Sequence, residues 1–158
     1  MLSLTKATVL AVTETWLDAS LEMAVSVPGY NFVHKCRHYG KGGGVGFYIK
    51  CGISFEVIDS EWSNFNSCFE CMFIKIHQTK CKDIIIGTLY RPPGNPVDQF
   101  NIAIQHTLSK MISTNHKIIL AGDFNINLLK LAEHRPTHDF FNIMTSHQLL
   151  PSFYPASN

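Results

Sequence analysis

Two β-prone runs with one helix between them constrain this chain more than any other feature. Ile84-Ile-Ile-Gly-Thr-Leu89 and Ile118-Ile-Leu-Ala121 are short, apolar and rich in β-branched residues, which marks buried strands. Between them Phe100, Ile104, Leu108, Met111 and Ile112 recur at helical spacing, with Asn95 as expected N-cap and Pro96 at the first helical position. One crossover helix makes the two strands parallel and the crossover right-handed. Their C-terminal ends then open at one edge of a sheet, where ligand sites of open α/β sheets gather. Tyr90 follows the first strand, and Asp123 follows the second across Gly122.

The remaining chain reads as further strands. Val9–Val12, Tyr30–Lys35, Val45–Ile49, Phe55–Ile58 and Met72–His77 are apolar or alternating segments, with breaks such as Pro28-Gly29 and Gly42-Gly43-Gly44. A second helix is expected from near Pro136, burying Phe140, Phe141 and Met144. The class is α/β, with sheets covered by helices. A chain of 158 residues that is 46% hydrophobic and 16% charged builds one domain with a core and is not a disordered tail. The formal net charge of +1 excludes a strongly basic arm but not a local basic patch. No apolar run approaches the ~20 residues of a membrane-spanning helix, and Met1–Val12 reads poorly as a signal peptide. Five cysteines show no disulfide spacing, so reduced thiols of an intracellular protein are expected. The Cys68/Cys71 pair and the His34, Cys36, His38 group each lack the partners of a zinc site.

Polar residues at the apolar strand ends carry the chemistry. Asp123 and Asn125 flank Phe124; in extended geometry both would point one way, with Phe124 turned to the core. A carboxylate there can ligate a metal or orient water, and a carboxamide can hold a phosphate oxygen. An Asx turn closing the strand is the plainer reading. Glu14, after Val9–Val12, is either a solvated strand-end residue or a second carboxylate for a hard cation that keeps its waters and takes substrate phosphate. Tyr90-Arg91-Pro92-Pro93 adds a phenol and a guanidinium suited to phosphate.

Four segments in order carry a family resemblance: Thr13-Glu-Thr-Trp16, Gly42-Gly-Gly-Val-Gly46, Leu89-Tyr-Arg-Pro-Pro93 and Ala121-Gly-Asp-Phe-Asn125. Together they resemble the endonuclease/exonuclease/phosphatase superfamily. The Gly-rich and Tyr-Arg-Pro-Pro segments look most like the endonuclease domain of non-LTR (LINE-type) retrotransposons, relatives of the abasic-site endonucleases and DNase I. The resemblance implies a partial four-layer α/β sandwich, DNase I-like, with two β-sheets flanked by helices. It implies that Glu14 is a Mg²⁺ ligand (Mn²⁺ being an alternative), that Tyr90 contacts the scissile phosphate, that Asp123 activates the attacking water and that Asn125 contacts phosphate and nucleophile. The implied reaction is nicking of DNA, exposing a 3′ hydroxyl that primes reverse transcription by a fused reverse transcriptase in the nucleus.

Arg91, Arg37 and Lys41 are the expected DNA-phosphate contacts, with Lys35 and Lys50 as further basic residues. The family's upstream Asn-containing strand and its C-terminal Ser-Asp-His type strand have no match, and His147 lies too early to supply that His. Residues 1–158 are therefore expected to be one truncated domain, weak or inactive alone. The alternatives are a non-catalytic remnant binding nucleic acid or protein, and a phosphatase of the same superfamily acting on small or lipid phosphate esters.

Overall fold

The computed structural model describes residues 7–17, 25–37, 42–58, 68–112 and 116–152. Lys41 and His38 lie outside them. Seven strands form two sheets: β1 Val9–Thr13, β2 Tyr30–Lys35, β3 Val45–Lys50, β4 Phe55–Ile58, β5 Glu70–Ile76, β6 Ile84–Tyr90 and β7 Lys117–Asp123. The first sheet has the order β1-β3-β2 and is antiparallel. The second has the order β4-β5-β6-β7, with antiparallel pairs except for β6 and β7. That last pair is parallel, Ile84 opposite Lys117 through Tyr90 opposite Asp123. The reason is the one expected: a single helix, α1 (Val97–Ile112), carries the chain back to the start of the sheet.

The two sheets pack face to face through Val45, Phe47 and Ile49 of β3 and Met72, Ile74 and Tyr90 of β5 and β6. The other face of the second sheet is covered by α1 and α2 (Arg135–Ser146), through Phe73, Ile85 and Leu89 against Phe100, Ile104, Leu108, Met111, Phe140 and Met144. Ile102, on the far side of α1, is 72% exposed, so the helix buries one stripe, as its spacing requires. The described residues thus supply three layers: sheet, sheet, helices.

In α2 Phe140 and Met144 are buried as expected, while Phe141 is only half-buried; three further details differ from expectation. Helix α1 starts one residue later, because Phe100 N–H donates to Pro96 O at 3.2 Å and Pro96 is the capping position. The Asn95 amide donates to Cys68 O at 3.0 Å, tying the turn to the foot of β5. Strand β5 begins at Glu70 rather than Met72, because pairing with β6 continues to Glu70 opposite Tyr90.

The sheets also align the ends that matter. Thr88 Oγ1 donates to Val12 O at 3.4 Å, and two residues further on both strands the Tyr90 hydroxyl donates to Glu14 Oε1. Contacts that advance in the same direction on both strands mean that β1 and β6, which lie in facing sheets, run in the same direction. The C-terminal ends of β1, β6 and β7 therefore meet, bringing together segments 76 positions apart.

Candidate active site

At this edge Tyr90 is the hub. Its residue is only 4% exposed, in the core between the sheets. Its hydroxyl reaches the Glu14 carboxylate, and its backbone pairs with Asp123. The hydrogen bond to Glu14, burial and the Glu14 charge push the Tyr90 pKa up to about 12. The phenol is therefore a donor throughout the physiological range. Glu14 is itself exposed and has φ 53, a left-handed conformation uncommon outside glycine.

Surrounding hydrogen bonds hold that conformation. Thr15 N–H donates to Gly44 O at 3.3 Å and Trp16 N–H to Gly43 O at 2.9 Å. The Gly-rich segment is gripped in turn by Glu70, whose Oε2 accepts from Gly44 N–H at 2.5 Å and whose Oε1 pairs with Arg37 Nε. Gly43 and Gly44 hold φ 74 and 89, a region that favours glycine, and the space beside them is already filled. A Cβ on Gly43 would lie 2.5 Å from Glu70 Oε1, and one on Gly44 2.4 Å from Thr15 Oγ1. Glu70 is the residue that the sequence reading missed. Its signal was a lone carboxylate opening an apolar strand in register with Tyr90.

Asp123 closes β7 and Asn125 sits on the loop that follows, and both are exposed. The extended geometry expected there ends at Asn125, whose φ is 49. Asp123 Oδ1 accepts from Asn125 N–H at 2.9 Å, so the Asx turn and the clustering of polar groups occur together. Phe124 does turn inward, with its ring 5.7 Å from Phe140 and 6.3 Å from Phe100. The Asn125 amide donates to Arg91 O at 2.8 Å.

Arg91 is placed otherwise than as a surface phosphate contact. It is 4% exposed, and its guanidinium donates to Phe124 O at 2.7 Å and to Asn95 O and Asn125 O. Burial lowers its pKa from the usual arginine value, and the nearby Asp123 charge opposes that shift. It acts as a clip that binds the β6, α1 and β7 loops together, because its planar fork reaches several carbonyls at once. Arg37 stands at the site but is engaged with Glu70. Lys35 pairs opposite Val45, at the Glu14 end of the first sheet, whereas Lys50 lies at the other end beside Thr8. That removes Lys50 from the expected basic patch.

The donors here are oxygens: the Glu14 and Asp123 carboxylates and the Tyr90 phenol; Thr15 Oγ1, next in sequence and facing Gly44, is buried with no hydrogen-bond partner. Such a set suits a hard cation that keeps most of its waters and takes substrate oxygen. Among the described residues no group of three or more His, Cys, Asp or Glu is placed to hold a metal by itself. The described members of the two sulfur-containing groups have other surroundings, and His38 lies outside the described residues. Cys71 is buried and its thiol is pushed up to about 12 by that burial, while Cys68 Sγ contacts Gln99 Oε1 at 3.9 Å. His34 Nδ1 and Cys36 Sγ touch at 3.4 Å. No described helix is long and apolar enough to cross a membrane.

The sequence pattern of the Endonuclease/Exonuclease/phosphatase family matches residues 1–153. No curated protein matches the chain by sequence. Among solved structures, that of ANGEL2, a 2′,3′-cyclic phosphatase, superposes with a TM-score of 0.58 at 17% identity, over 79% of this chain and 42% of that one. The human Nocturnin catalytic domain with bound sulfate gives 0.53 at 13% identity, over 82% and 57%. The chain therefore spans about half the length of these neighbours. The likeness shows the fold, two β-sheets with helices in the DNase I-like α/β arrangement.

Proposed function

The chain belongs to the endonuclease/exonuclease/phosphatase family, hydrolytic enzymes that act on phosphate esters and generally use divalent metal ions, and from that premise we propose that it is a metal-dependent phosphodiesterase of the retrotransposon endonuclease type. Its substrate in this reading is DNA, its metal Mg²⁺, its partner a reverse transcriptase on the same polypeptide and its compartment the nucleus. The observation that carries the reading is the convergence of the Glu14 carboxylate on the Tyr90 hydroxyl, with Asp123 paired beside Tyr90. Unrelated strand ends would have scattered around the domain. The Gly-rich and Tyr-Arg-Pro-Pro segments favour the retrotransposon branch over the phosphatases.

The residues divide the work as follows. Glu14 would hold the cation, and a bound divalent ion supplies neutralisation of charge on the phosphate and the departing oxygen. Tyr90, kept protonated, donates a hydrogen bond to a non-bridging phosphate oxygen when substrate replaces its contact to Glu14. Asp123, with one oxygen fixed by Asn125 N–H, orients the attacking water and accepts its proton through the other. Asn125, held against Arg91 O, keeps that turn closed and presents a carboxamide to the phosphate.

Because residues 1–158 are expected to be weak or inactive alone, the test is nicking of supercoiled plasmid by the full polypeptide that carries this domain, with Mg²⁺ and an EDTA control. Mg²⁺-dependent nicking that disappears in Asp123→Ala supports the reading; metal-independent cleavage, or cleavage that survives Asp123→Ala, overturns it. Because ANGEL2 is a 2′,3′-cyclic phosphatase, an oligonucleotide ending in a cyclic phosphate belongs in the same assay. Preferential opening of that end would move the substrate from DNA to a terminal phosphate.

A further inference from the structure

We propose that the Trp16 indole is a stacking platform for a nucleobase adjoining the phosphate bound at Glu14 and Tyr90. This deepens the phosphodiesterase reading and rests on it. Among the described residues Trp16 is the one aromatic among the exposed large hydrophobic side chains, at 65% exposure. A single exposed apolar residue is ordinarily without meaning, but three observations set this one apart.

The first is place. Trp16 stands two residues from Glu14, so its Cα is within about 7 Å of that of the carboxylate residue. The second is backbone strain. Trp16 has φ 53, a conformation that costs a bulky residue free energy and that proteins keep mainly at ligand sites. The surroundings enforce it through the hydrogen bond from Trp16 N–H to Gly43 O at 2.9 Å. The third is support. The indole rests against Gly42, where a Cβ would approach Cε2 and Cζ2 to 3.1 Å. A bare backbone under one part of the ring leaves the rest of a large, flat surface held in solvent.

A fixed π-face beside an anion-binding group matches a ligand that carries both features in one unit, which is a nucleotide. Stacking on an aromatic ring is tolerant of base identity, since every base has a π-face. The same geometry gives a small or lipid phosphate ester nothing planar to stack.

The probes are a single-stranded 12-mer DNA and a 12-mer of the same length carrying tetrahydrofuran in place of every base, titrated in EDTA. The wild type is expected to bind the base-bearing oligomer more tightly, with quenching of indole emission. Trp16→Ala should bind that oligomer roughly 5- to 100-fold more weakly and lose the preference and the quenching, whereas Trp16→Phe should keep most of the preference. Circular dichroism confirms that each variant is folded; if Trp16→Ala is not, Trp16→Phe and wild-type quenching decide. Equal binding of the base-bearing DNA by wild type and Trp16→Ala overturns the platform while leaving the phosphodiesterase reading intact, provided plasmid is still nicked with Mg²⁺. Failure to bind either oligomer, together with failure of the full polypeptide to nick, overturns the reading itself and the platform with it.

Discussion

Strand β6 ends in a polar cluster at both of its termini, and the two clusters are built in different ways. At the start of β6, Asp83 lies 3.1 Å from His77 Nδ1 and accepts from Gln78 N–H at 3.0 Å, while Lys75 pairs with Glu56 at 2.5 Å. The partners are near in sequence or directly opposite in register, as Glu56 is to Lys75. They lie at or near the surface. At the end of β6, Tyr90 meets Glu14 across 76 positions, and Arg91 clips carbonyls of two distant loops. Hairpin register gathers opposite charges wherever a strand surfaces, and solvent makes such pairs weak. Assembling a buried phenol and the exposed carboxylate of a left-handed Glu from separate segments needs the whole fold. The presence of titratable groups therefore says little; the sequence distance they span and the strain they hold say more.

The comparison breaks most sharply at Asp123. In the full, active polypeptide Asp123→Asn keeps shape and removes the charge, so Mg²⁺-dependent nicking should fall roughly 10²- to 10⁴-fold while DNA affinity changes little. Equal losses of rate and affinity in single-turnover and binding measurements would make Asp123 a structural residue. Gly122→Ala tests how strictly the end of β7 is built. A Cβ there would lie 1.9 Å from Leu89 O at φ 140, and denaturant melts should show a loss on the order of 3 kcal/mol. Arg91→Ala leaves three buried-side carbonyls without their donor and should cost about 2 kcal/mol in the same measurement. Arg91→Lys should recover only part of it, since an ammonium cannot span three acceptors.

Tyr90→Phe sharpens the contrast through pH. The folded state holds the phenol protonated up to about 12, above its unfolded value, so its stabilisation is complete below about pH 10. It is lost as pH rises from there through the folded value. Thermal melts should show a wild-type decline between those limits that is shallower in Tyr90→Phe. The smallest effect belongs at the other end of β6. Glu56 and Asp83 are held below their usual carboxylate range, Glu56 first by its bond to Lys75 and Asp83 first by the Gln78 N–H. That contribution is present above the ordinary carboxylate pKa and fades on acidification. Because these groups are solvated, Lys75→Ala should hardly move the melting temperature, and added salt should erase the difference.

Much of this architecture was legible before any coordinates. The β6-α1-β7 crossover followed from two apolar runs and one helical stripe, and its parallel pairing followed from the length of the connection. The inward Phe124 followed from its place between polar residues. Glu70 was not legible, because a carboxylate ahead of an apolar run reads as loop until its register with Tyr90 is known. Arg91 looked like a surface cation because its residue type is usually solvated, and its burial depends on three carbonyls contributed by loops around positions 95 and 124–125. Trp16 could be recognised as part of a motif, but neither its exposure nor its backbone strain could be seen.

Residue order alone determined the elements, the α/β class and the set of polar residues waiting at strand ends, because periodicity and turn chemistry act over a few residues at a time. Which polar groups became partners was decided only by the tertiary structure. Packing the two sheets through Phe47, Ile49 and Ile74 sets β1 alongside β6, and only that placement turns Glu14 toward Tyr90. The physical reason is that a hydrogen bond falls off within an ångström, whereas the strand positions that permit it are set by burying apolar surface across the whole domain.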